Sequence, residues 1–124
     1  MKLSEKEFDR IVKRAIRRIP AEIRQYLDNI VISVRKRPTR AMLMDAGLSP
    51  GDSLFGLFQG VSLLERSVTS PPLFPDTIFL FQEPIEEACK NIEELEEEVE
   101  ITLVHEIAHF VGMTEERLEE LGYG

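Results

Sequence analysis

Apolar residues recur at three- and four-residue spacing toward both ends of the chain, while stretches in its middle alternate with a period of two. Phe8, Ile11, Val12, Ala15, Ile16 and Ile19 lie on one face of a helix, and Ser4 with Glu7 supplies a capping box, so a first helix is expected over about 5–18. Pro20 opens a short second helix carrying Ile23, Tyr26 and Leu27, because the proline lacks only an N–H that a helix start leaves unpaired anyway. Ile30, Ile32 and Val34 then alternate with Val31, Ser33 and Arg35, a strand that ends before Pro38. Residues 39–46 read as a helical turn closed by Gly47, and Leu54–Gly60 as a second strand. Thr77–Gln82 is a third, nearly all apolar and so central or covered on both faces. Residues 61–75, with Pro71, Pro72 and Pro75, form a long loop, and such loops in a small domain are more often functional than not. Pro84 begins a short helix, Asn91 with Glu94 caps a long one running through Val111, and a last helix starts at Thr114. The sum is an α+β fold: a small twisted sheet of about three strands on a long helix, with helices N-terminal to it.

Composition narrows the class. A chain of 124 residues holds about one domain, here 1–124, and 43% hydrophobic with 31% charged residues is ordinary for a globular protein. No apolar run approaches the roughly 20 residues of a membrane span, and Met1–Glu7 carries no apolar signal core, so neither membrane association nor export is expected. Cys89 is alone, which excludes an internal disulfide, fits a cytoplasmic location and suits a half-buried helical position. Residues 1–40 hold 12 Lys/Arg against 5 Asp/Glu, net +7, and residues 41–124 hold 3 against 18, net −15. The basic set (Lys13, Arg14, Arg17, Arg18, Arg35, Lys36, Arg37, Arg40) lacks interleaved aromatics, so no nucleic-acid partner is expected. Its simplest role is a helical face opposing the glutamates at 93–100, themselves read as a solvated face. A regulatory or nucleic-acid module built on the basic N-terminal helix is the weakest alternative.

The chemistry sits in Val104-His105-Glu106-Ile107-Ala108-His109-Phe110, which contains both histidines of the chain. Residues i and i+4 stack on one helix face, so two imidazoles at this spacing can close on one metal ion. This HExxH pattern places Glu106 beside the metal, where it serves as general base toward water and then as acid toward a leaving amine. The plainer reading is an amphipathic helix whose histidines meet at its polar edge. Two features favour the metal: Ile101, Val104, Ile107, Ala108, Phe110 and Val111 surround the polar triplet, and no charge except Glu106 interrupts 101–114. Gly112 extends the pattern, since a glycine there lets the helix end in a left-handed residue and turn back sharply. That turn can carry Glu115 toward the histidines.

HExxHxxGxxE resembles the short-spacer zincins, and most closely the minimal zincin-like family of small bacterial proteins related to the Asp-zincins. Pro38-Thr39, Gly47-Leu48-Ser49-Pro50, Leu54–Val61, Pro71-Pro72, Pro84-Ile85-Glu86 and Leu121-Gly122-Tyr123 fit the same layout, so the resemblance spans most of 5–124. It implies a minimal zincin-like domain holding Zn²⁺ through His105, His109 and Glu115, with Glu106 catalytic and a peptide or protein as substrate. One departure is Glu115 where the family has aspartate; Glu119 shares its helix face and remains the competing ligand, while Glu116 and Glu120 lie on the next face. Tyr123 takes the place under the site that a Met-containing turn occupies in longer relatives, and its hydroxyl is a candidate to support the oxyanion. Leu54–Gly60 is the candidate edge strand that pairs with an extended substrate. The function expected is a zinc metallopeptidase; the alternative is a non-catalytic zincin-like metal-binding or protein-interaction domain. A homodimer stays open.

Overall fold

A computed structural model describes residues 1–60 and 75–124. The expected loop at 61–75 falls almost entirely outside the described residues. Helix α1 (Glu5–Arg18) begins where Ser4 Oγ accepts from Glu7 N–H at 3.1 Å while Glu7 Oε1 accepts from Ser4 N–H at 3.2 Å, the reciprocal cap expected from the sequence. Helix α2 (Ala21–Arg24) runs straight into a 3₁₀ turn (Gln25–Asn29), so Tyr26 and Leu27 lie on the tighter coil rather than on an α-helix. Strand β1 (Val31–Arg35), helix α3 (Arg40–Asp45), strand β2 (Gly56–Gln59) and strand β3 (Thr77–Phe81) follow. Helix α4 (Gln82–Ala88) starts two residues before Pro84, which is tolerated inside the first turn because N–H groups there have no intrahelical partner. Cys89 is the half-buried C-cap of α4, not a helical residue, and burial pushes its thiol pKa up.

The sheet order is β1-β3-β2, with β1 parallel and β2 antiparallel to β3. That puts β3 in the centre, and Ile78, Phe79, Leu80 and Phe81 are all buried, as its apolar run implies. Helix α5 (Ile92–Val111) is capped by Asn91 Oδ1, which accepts from Glu94 N–H at 2.9 Å. Leu95, Val99, Leu103 and Ile107, spaced by four, are fully buried in one cluster with Phe8, Ile11 and Ala15 of α1 and Ile78 and Leu80 of β3. Outside this apolar contact Arg14 Nε meets Glu96 Oε1 at 3.0 Å and Arg18 meets Glu96 at 3.0 Å and Glu100 at 2.8 Å. Arg14 and Arg18 of the basic face of α1 are therefore engaged by α5, and Glu100 is buried rather than solvated. Helix α6 (Glu115–Glu120), capped by Thr114, closes the chain. No helix among the described residues is long and apolar enough to cross a membrane.

Candidate active site

The site is assembled where β2 crosses the outward face of α5. His105 and His109 are both exposed, one turn apart, while Glu106 between them is largely covered. Strand β2 is an edge strand, and its pairing sets which backbone groups face outward. Phe55 C=O accepts from Phe81 N–H at 2.9 Å, and Leu57 and Gln59 lie opposite Phe79 and Thr77, so these alternate positions turn toward β3. Gly56 and Phe58 then turn away from it. Phe58 N–H donates to Glu106 Oε1 at 2.8 Å, and the Phe58 ring rests on Phe110 with centroids 5.0 Å apart. The edge strand is thus fastened to α5 at Glu106.

Gly56 allows the close approach. A Cβ there would lie 2.6 Å from Thr102 Cγ2 and 3.1 Å from the Phe79 carbonyl oxygen. Beside this contact lies a cleft of about 320 Å³, lined by Ser53–Gly56 on the strand side and by Glu98, Ile101, Thr102, His105 and Glu106 on the helix side. Gly56→Ala is expected to push β2 off α5 and cost about 1–3 kcal/mol in denaturant unfolding. Gly51→Ala, whose Cβ would meet nothing within 4 Å, is the control and should stay within about 0.5 kcal/mol.

Past His109 the helix ends at Gly112 with φ 71° and ψ 34°, the left-handed cap expected from the spacing, and Met113 N–H returns to Ala108 C=O at 2.9 Å. The chain reverses and enters α6. Against this geometry, the family model for zincin-like metallopeptidases matches residues 27–124.

The chain belongs to the zincin-like metallopeptidase family. No curated protein matches it. The matched stretch leaves out α1 and α2, although the motif resemblance read from the sequence began near residue 5.

The zincin-like helix α5 offers donor chemistry that fits zinc. His105 Nε2 lies 3.0 Å from the Tyr123 carbonyl oxygen. A carbonyl only accepts, so that nitrogen carries a hydrogen, and the carbonyl fixes the orientation of the ring. His109 Nδ1 stands 3.7 Å from Glu106 Oε2, and its Nε2 has no partner among the described residues. A third donor is not gathered: among the described residues no three His, Cys, Asp or Glu side chains stand close enough together to hold a metal. Glu115 and Glu119 are exposed on α6, which is itself fixed by Arg117, paired with Glu22 at 2.6 Å and Glu120 at 2.7 Å. Glu120 is thereby engaged elsewhere.

Burial raises the Glu106 carboxyl above the usual glutamate range, opposed by the Phe58 N–H and the two histidines, in that order. A raised pKa in a cleft suits a proton carrier. The Tyr123 hydroxyl donates to Glu100 Oε2 at 2.5 Å, and burial, then this bond, pushes its pKa up. Tyr123 does return to α5 as the resemblance implies, yet its hydroxyl is committed to Glu100 and it is the backbone carbonyl that touches a motif residue. Arg18 and Glu100 belong to the basic and acidic faces that the sequence sets against each other, but the burial of Glu100 and its bond to Tyr123 were not expected. The available signal was the matched i, i+4 spacing of Arg14 and Arg18 against Glu96 and Glu100.

Proposed function

We propose that this protein is a zinc-dependent peptidase that cleaves peptide bonds with Glu106 as general base. One observation carries the reading: the Glu106 carboxylate, desolvated and held by the outward Phe58 N–H of the edge strand, opens onto a cleft shared with His105. His105 and His109 would hold Zn²⁺, with Glu115 as third ligand. Bound zinc supplies a Lewis acid for the scissile carbonyl and makes water a better nucleophile near neutral pH. Glu106 takes the proton from the attacking water, and the same carboxyl returns it to the amine nitrogen as the C–N bond breaks. Main-chain groups of Gly56, turned away from β3, and of Leu54 before it would pair with an extended substrate. Tyr123 acts as a positioning residue, its carbonyl on His105 and its hydroxyl on Glu100. The test is cleavage of a mixed peptide library by zinc-loaded protein, with fragments identified by mass; an uncut library would oppose this reading.

A second reading, a non-catalytic zincin-like metal-binding or protein-interaction domain, draws support from the absence of a third donor beside the histidines among the described residues. Peptide cleavage separates the two; the third ligand is a question of its own. Glu115→Ala is expected to weaken zinc binding at least tenfold while Glu115→Asp keeps it, and Glu119→Ala should matter much less, because only Glu115 occupies the motif's aspartate position. Competition with a chromophoric chelator measures all three. Equal losses at 115 and 119, or a loss at 119 alone, would move the ligand along α6.

A further inference from the structure

Strand β2 and helix α5 run in register. Gly56 sits on Thr102 and Phe58 on Glu106, so two strand residues, about 6.8 Å, match four helix residues, about 6 Å. The same step taken backward sets Leu54 over Glu98, and both do line the far end of the cleft from His105 and Glu106. Glu98 is half-buried there, and among the described residues it makes no ion pair or hydrogen bond. Its neighbours differ: Glu96 and Glu100, on the other side of α5, are neutralised by Arg14 and Arg18. The described lining of the cleft contains no lysine or arginine. Burial, with Glu97 adding to it and His105 opposing, raises the Glu98 carboxyl, which a further cation in the cleft would reverse.

We propose that Glu98 is a specificity residue that receives a lysine or arginine side chain of the substrate about three residues from the bond cleaved. This rests on the peptidase reading above. The spacing follows from the helix: seven residues from Glu98 to His105 rise about 10 Å, the length of about three residues of extended peptide. A carboxylate with no hydrogen bond or ion pair among the described residues, beside apolar Leu54 and Ile101, gains a charge-assisted hydrogen bond from an ammonium or guanidinium group. The stem of that side chain covers the apolar walls.

The test uses the zinc-loaded Glu106→Gln protein, which binds without turnover, and fluorescein-labelled neutral peptides with a single lysine scanned along them, each beside its norleucine counterpart. Anisotropy titration is expected to find one lysine position that binds about five- to tenfold tighter than norleucine, the size of a partly screened ion pair. Adding Glu98→Gln should erase that preference, and Glu98→Lys should transfer it to peptides with glutamate at the same position. Equal binding of lysine and norleucine peptides, or a preference that survives Glu98→Gln, overturns the assignment of Glu98 and leaves the peptidase reading standing. If no peptide is bound and wild type cuts none, both fall together.

Discussion

Glu106→Gln is expected to remove peptide hydrolysis, by about 10²- to 10⁴-fold in kcat, while zinc content and folding stay intact. The amide keeps an oxygen for the Phe58 N–H and nearly the same volume, so the fastening of β2 to α5 survives; only the ability to exchange a proton is lost. The metal-free protein supplies an independent check with a definite sign. Burial raises the folded-state pKa of Glu106, so the folded state holds its proton more tightly than the unfolded one. Ionisation therefore costs stability once pH rises above the unfolded glutamate range near about 4.3. Metal-free Glu106→Gln should be more stable than wild type at pH 8, and the difference should shrink as pH falls toward 4. Cleavage that continues unchanged in the Gln variant would place the activity elsewhere.

His109→Ala should abolish the response of the fold to zinc. A ligand that binds only the folded chain stabilises it by about 2.7 kcal/mol at a hundredfold excess over Kd, which in a domain of this size raises Tm by on the order of 10 °C. Wild type is expected to show that shift. His109→Ala is expected to show almost none, although the residue is exposed and its loss leaves the apolar core untouched. A zinc-induced shift of the same size in both proteins would locate the metal outside the motif.

Much of the architecture was legible because local and global signals agree. The Ser4–Glu7 and Asn91–Glu94 caps, the apolar run at β3 and the glycine after the second histidine each have one physical reading, and each is found. Where the chain departs from expectation the cause is tertiary. Residues 25–29 tighten to a 3₁₀ turn, and β2 shortens to four residues, since the ladder with β3 runs over Gly56–Gln59 and Phe55 adds only a carbonyl bond before it. The site was legible as a motif but not as an environment. The spacing of His105, Glu106 and His109 is a one-dimensional signal, whereas the Phe58 N–H on Glu106 links residues 48 positions apart. Glu100 illustrates the same limit: its spacing against Arg14 and Arg18 marks Glu96 and Glu100 alike, and not the one that folding buries beside Tyr123. Glu98 and Thr102 are silent for a similar reason, because their place in the cleft depends on how β2 lies over α5.

If His105 and His109 form a zinc site, the metal content of the protein reports it. Protein purified without chelator should carry close to one zinc per chain by elemental analysis, and His105→Ala, prepared in parallel, close to none. Equally low zinc in both, unchanged after incubation with added zinc and desalting, would contradict the account and leave the motif a solvent-facing edge of α5.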